Sequence, residues 1–119
     1  MSSITSRLVT GTTTNLTLLS PSPAAILEGL IGTNSAAYAI FVKFYWFDAS
    51  LQAATKPTVG TTLPAITVGI PAATTLPFYF GKDGLYNKGD LWVAVTKLVA
   101  DTDTTVTVAG DGLITFMLG

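Results

Sequence analysis

Three aspartates, Asp101, Asp103 and Asp111, lie close together near the C-terminal end of the sequence. Hard oxygen ligands gathered on loops are what a calcium ion requires. The spacing is not that of a calcium-binding hand, which also needs a terminal bidentate glutamate. Aspartates that bond their own backbone in turns explain the same pattern, and this is the preferred reading, so no metal or other cofactor is expected. Thr104, Thr105 and Ser35 are nucleophiles only beside an activating base. The sequence has no histidine and no cysteine, which removes the commonest general base, thiol chemistry, disulfides and most transition-metal ligand sets. Lys43 and Lys97 remain as bases, but each falls within a strand pattern where a salt bridge is the expected role. Glycoside hydrolysis needs two acids facing each other across a cleft. Every acid except Glu28 falls in a turn or loop, and nothing brings two together. The chain is therefore expected not to be an enzyme.

Tyr38, Tyr45, Trp46, Phe47, Tyr79 and Trp92 offer rings that could stack on sugars, which makes a carbohydrate-binding module the rival class. Strand alternation places Tyr38 and Trp46 on a core face, so packing or a subunit interface is favoured for these rings. Asn15-Leu16-Thr17 matches a glycosylation sequon, read here as chance in a threonine-rich chain.

The elements that must position these residues are strands. From Asn15 onward, short apolar segments of period two are separated by Pro, Gly, Asn and Asp, the pattern of an all-β sandwich or barrel. Leu16 and Leu18 open a first strand that Pro21 and Pro23 close. A second covers residues 24–33, with Gly29 and Gly32 marking bulges or close backbone approach; a helix over 24–31 is the competing reading. The strongest strand, residues 37–47, points Tyr38, Ile40, Val42, Phe44 and Trp46 to the core. Ala39, Phe41, Lys43 and Tyr45 point to a second face covered by another element or by a neighbouring subunit. Residues 48–60 read as a long loop. Strands follow at Ile66–Ile70, at Leu76–Phe80 (an edge, given Pro77), at Leu91–Thr96, at Val106–Val108 and at Ile114–Leu118. Gly81-Lys82-Asp83-Gly84 and Asn87-Lys88-Gly89-Asp90 are tight turns. The expectation is a single antiparallel β-sandwich of about eight strands, jelly-roll in type, over residues 15–119. Its core includes Ile40, Val42, Phe44, Ile66, Val68, Phe78, Val93 and Phe116.

Composition bounds the partners. The 119 residues hold 6 basic and 7 acidic side chains, net −1, and charged residues are only 11% of the total, under half the usual share. No basic footprint for nucleic acid or an anionic membrane exists. The start lacks the basic and apolar regions of a secretory signal, and the most apolar run, residues 36–47, is too short to span a bilayer as a helix. Twenty threonines and seven serines supply a small-polar surface suited to β structure and close protein contact. Phe41, Lys43 and Tyr45 are accordingly expected to bind a partner, and the protein to form a homo-oligomer, trimer or dimer.

Residues 1–14 show no lasting periodicity and read as an extended N-terminal arm. Ile4 and Leu8 would enter pockets on a neighbouring subunit while Arg7 meets a carboxylate at the rim.

Several stretches also carry a family likeness: Thr14-Asn15-Leu16-Thr17, residues 37–45 (AYAIFVKFY), Lys56-Pro57-Thr58-Val59-Gly60-Thr61, residues 64–72 (PAITVGIPA) and Ala100-Asp101-Thr102-Asp103-Thr104-Thr105. Together they resemble small β-sandwich virion proteins of tailed bacteriophages. The resemblance covers about residues 14–118, and its most specific feature is the KPTVGT loop followed later by the ADTDTT loop. It departs from the family pattern at Ala73-Thr74, where a glycine pair is usual. The resemblance implies a structural protein that decorates or cements a capsid, with a tail or fibre position as the alternative. Its partners would be the major capsid protein or other virion subunits, and its location the virion, assembled in the host bacterial cytoplasm.

Overall fold

A computed structural model describes residues 4–20, 25–46, 56–81, 84–87 and 90–118. The described residues form nine strands: β1 (Ile4–Val9), β2 (Thr17–Ser20), β3 (Ala25–Asn34), β4 (Ile40–Trp46), β5 (Ile66–Ile70), β6 (Thr74–Tyr79), β7 (Leu85–Asn87), β8 (Leu91–Thr96) and β9 (Gly112–Leu118). There is no helix among the described residues. One sheet has the order β1-β9-β3-β6, with β7 also paired to β3; the other has the order β2-β8-β4-β5. Every pairing is antiparallel. With β7 set aside, first pairs last, second pairs next to last, and so inward to β4 with β5. This is one long hairpin rolled up so that its pairs alternate between two sheets, the jelly roll.

The period-two pattern explains the core. Ile40, Val42 and Phe44 of β4, Val68 and Ile70 of β5, and Leu91, Val93 and Val95 of β8 meet Leu27, Leu30, Ile114 and Phe116 from the opposite sheet. Phe44 stands at the centre, edge-on to Phe116 at 5.8 Å and to Phe80 at 6.2 Å. Such T-shaped pairs place ring edges on ring faces and add about 0.5–1.5 kcal/mol each to the burial itself. Gly32 lies where the sheets approach: a Cβ there would sit 2.2 Å from Ile70 Cδ1. The register slips between Leu27 and Gly29, a bulge at Glu28, next to the glycine the sequence singled out.

Residues 25–34 form a strand, not the competing helix. Phe78 is on the inward side of β6, opposite Leu30, but lies at the sheet edge and remains 39% exposed, so it lines the rim of the core; Ile66 likewise only flanks it. Val106 and Val108 form no strand and are exposed. That segment crosses the end of the sandwich, where only Thr107 is buried, its hydroxyl donating to Gly11 O at 3.3 Å.

The arm expectation is corrected for residues 4–9. They pair with β9 at six successive positions, from Ile4 opposite Leu118 to Val9 opposite Leu113. Leu8 packs against the core. Beyond the strand, buried Thr10 accepts the Gly112 N–H on its hydroxyl at 2.8 Å, donates its own N–H to Gly112 O at 2.9 Å, and receives the Gly110 N–H at 2.6 Å. A segment with few apolar residues is held because β9 supplies the ladder it could not form alone.

Candidate functional site

The outward face of the four-stranded sheet is where a partner was expected. The register sets Phe41, Lys43 and Tyr45 of β4 opposite Thr96, Ala94 and Trp92 of β8. Lys43 is completely buried and Tyr45 nearly so. What meets the Lys43 ammonium is the chain itself, in the segment after β8. The Lys43 Nζ donates to Ala100 O at 2.6 Å, and Asp103 N–H bonds the same carbonyl at 3.0 Å. Burial lowers the Lys43 pKa, against the opposing pull of Asp103 and Asp101. Burial likewise raises that of Tyr45. Lys43 and Tyr45 are therefore not partner-binding residues in this structure, a correction to the reading from composition. Phe41 is half-buried, its ring beside Gly69, whose missing side chain makes room for it. The Tyr45 hydroxyl and the Trp92 Nε1 are buried without hydrogen-bond partners among the described residues.

Asp103 holds the cover in place. Its carboxylate accepts the Leu98 N–H at 3.0 Å, the Thr105 N–H at 3.3 Å and the Thr105 hydroxyl at 2.7 and 2.8 Å. Burial works to raise its pKa, but these bonds, with the nearby Lys43 charge, outweigh it and hold the carboxyl below its ordinary value. A carboxylate depressed in the folded state contributes stability that is complete above about pH 4 and is lost as pH falls through the folded pKa. Thermal melts of the wild type and Asp103→Asn should therefore differ at pH 5 and converge toward pH 2. A constant difference would show that the charge is not what the cover depends on.

A second loop supports the first. Gly60 (φ 91°) presses its backbone against residues 102–104; a Cβ there would lie 2.5 Å from Thr104 Cγ2. The KPTVGT and ADTDTT loops are thus neighbours in space. Between them and the residues leading into β2 runs an open groove of about 470 Å³, lined by Thr14, Leu16, Lys56, Pro57, Val59 and Thr104, with Thr58. It holds threonine hydroxyls and one cation but no carboxylate and no nucleophile paired with a base. Nothing at the sequence level pointed to this groove, because its walls come from three separated segments.

The three aspartates do not converge. Asp101 is exposed, Asp103 serves the cover, and Asp111 accepts the Tyr38 hydroxyl proton elsewhere. That bond to Asp111, then burial, raises the Tyr38 pKa. Val108 N–H donates to the same hydroxyl at 3.1 Å, and Lys97 Nζ sits 4.3 Å from the Tyr38 ring centroid, a cation–π contact rather than the expected salt bridge. No cluster of three acids that could hold a metal occurs among the described residues. Ser35 and Thr105 spend their hydroxyls on Asp111 O and Asp103. Asn15 sits at φ 58° with its side chain bonded to Gly11 N–H and Thr13 O, a turn residue.

Among the described residues the aromatic rings form no shared sugar platform: Tyr45 is buried, Tyr38 is engaged, and Tyr79 stands exposed on the other sheet. Phe47 lies outside the described residues, as does the side chain of Trp46. At the N-terminus, Arg7 is exposed and Leu8 faces its own core; of Ile4, only the backbone pairing is described.

Fold and surface together define a jelly-roll β-sandwich with no assembled catalytic centre among the described residues. No protein-family model matches the chain, and no curated protein matches it. Among solved structures, it is similar in fold to the Bacillus endospore appendage protein described as forming "a novel family of disulfide-linked pili". The TM-score is 0.51 at 8% identity, over 98% of this chain and 80% of that one. A second similar structure is the crystal structure of PirA, with a TM-score of 0.49 at 9% identity, over 97% of this chain and 92% of that one. The appendage protein, matched at a TM-score of 0.51, is not a capsid protein, and this corrects the capsid role expected from the virion resemblance. The capsid-decorating role, its tail or fibre alternative and the sugar-binding alternative are set aside.

Proposed function

We propose that this protein is a non-catalytic structural subunit that works as many copies in a non-covalent protein assembly. The observation behind this reading is the outer face of the five-stranded sheet. Val9, Ile31 and Tyr79 are 58%, 45% and 68% exposed there. Apart from the bulge at Glu28, Arg7 is the one charged residue on the outward register positions of β1, β9, β3 and β6. A face this apolar, on a chain with so little charge elsewhere, favours association with its own kind over solitary solution. Fold likeness to an appendage subunit supports the reading. Disulfide linkage is not available to this chain, which has no cysteine, so packing and hydrogen bonding must hold the copies. Sedimentation velocity from 1 to 100 μM, with negative-stain microscopy of the concentrated sample, should show mass rising with concentration. A clean monomer throughout would refute the proposal.

A further inference from the structure

A sandwich has four sheet edges, and each is a row of unpaired main-chain groups that invites another strand. Here the edges are β1 and, on the far side of β3, β6 continued by the three-residue β7 in one sheet, and β2 and β5 in the other. Three of them carry proline devices. β5 is five residues long between Pro64 and Pro71. β2 is four residues long, with Pro21 and Pro23 just beyond it. β6 contains Pro77, and its position is telling. Phe80 N–H bonds Glu28 O at 3.0 Å, and register continues with Tyr79 opposite Gly29. Even-numbered residues of β6 thus turn their main-chain groups toward β3, and odd-numbered ones turn outward. Pro77 deletes an outward N–H, which blunts that edge.

β1 has no such protection. It is six residues long, contains no proline, and has no strand beyond it among the described residues. Thr10 N–H bonds Gly112 O at 2.9 Å in the same register, so even positions face β9. Thr5, Arg7 and Val9 therefore turn their N–H and C=O groups outward, with exposed side chains.

Resting on the reading of a multi-copy subunit, we infer that β1 is the edge through which two copies join, its partner being β1 of a second copy, antiparallel about a two-fold axis. The same segment met in reverse offers acceptors at the spacing of its own donors, so self-pairing satisfies both edges at once. The repeat of side chains selects the register. A two-fold axis at Arg7 would set two guanidinium groups directly opposite each other, which is unfavourable. An axis at Ser6 sets Thr5 opposite the second copy's Arg7, as hydrogen-bonded pairs, and Ile4 opposite Leu8. Two five-stranded sheets then become one continuous ten-stranded sheet, with the charge-poor outer faces side by side.

Arg7→Pro tests this directly. It copies the device on β6: the lost N–H points away from β9, so the domain's own ladder is kept. Sedimentation of the full chain should show self-association weakened at least tenfold, with the melting temperature within a few degrees of wild type. Because the wild type has no cysteine, Ser6→Cys supplies an independent measurement that does not depend on a proline fold. Across the inferred axis the two Ser6 Cα atoms form a non-hydrogen-bonded pair about 4.5 Å apart, within disulfide reach. Mild oxidation should convert Ser6→Cys to a covalent dimer well before an exposed control, Ala72→Cys, reacts. Undiminished association of a folded Arg7→Pro, or cross-linking of Ser6→Cys no faster than the control, overturns the edge assignment while the multi-copy reading stands. A wild-type chain that never associates overturns both.

Discussion

Deleting residues 2–13 is expected to unfold the domain or lower its melting temperature by about 20 °C. The segment contributes the whole of β1, whose six paired positions cover one side of β9. Without it β9 becomes an edge, and the core loses Leu8, which packs against it opposite Ile114. Thr10 goes as well, leaving the Gly112 N–H and the carbonyl of Val108 without their partners. An unmet buried group costs roughly 1–3 kcal/mol and each lost net hydrogen bond about 1 kcal/mol. A total of about 5 kcal/mol is reached quickly, against a stability of only about 5–15 kcal/mol for a domain of this kind. At this size, each kcal/mol is worth roughly 4 °C. Circular dichroism melts of the full and truncated chains measure the difference directly. A truncated chain melting within a few degrees of the full one would mean that residues 1–14 are a dispensable arm after all.

Asn34→Asp should be the most damaging single isosteric change in the protein. Asn34 ends β3 and is buried; its Nδ2 donates to Tyr38 O at 2.7 Å and to Ile70 O and Pro71 O, each at 3.1 Å. Its Oδ1 accepts the Ala36 N–H at 3.0 Å. One side chain thereby ties β3 of one sheet to the end of β5 in the other, where the chain turns toward β6. Aspartate has the same shape but offers only lone pairs, so a charge would face three carbonyl oxygens. The expected cost is about 3–5 kcal/mol at pH 7. The pH dependence provides the signature. In that setting the new carboxyl has a folded pKa above its unfolded value of about 3.9, so the native state holds its proton longer. Stability lost at pH 7 should return as pH falls through the raised pKa, because the protonated acid can donate again. Asn34→Ala would be destabilised without that recovery. An Asn34→Asp protein as stable as wild type at pH 7 would show that the amide does not make these bonds.

The strands differ in how far they can be read from the sequence. The strands β4, β5, β8 and β9 are written in period-two alternation of large apolar residues, so fold class and most of the core follow from the chain order alone. The bulge and the close approach at Gly29 and Gly32 are legible for a similar reason: a missing side chain inside a strand has few explanations. β1 is different. Ile4-Thr5-Ser6-Arg7-Leu8-Val9 has no pattern strong enough to form a strand by itself, and its partner lies about a hundred residues away. The ladder that holds it is a property of β9, and no local reading contains it. β7 escaped for a related reason, being three residues between two turns.

Lys43 shows the limit most clearly. Alternation placed it on the outward face of β4, which is correct, but the side to which a residue points does not say what lies over it. A lysine on an outward apolar face implied a partner subunit, and only the tertiary path of residues 97–105 brings the Ala100 carbonyl to its ammonium. Residue identity and local backbone preference alone set the alternation, the shortage of charge and the lack of histidine and cysteine. Which edges are paired, which face is covered and which edge remains open were decided by contacts between segments far apart in the chain, and these exist only once the hairpin has rolled.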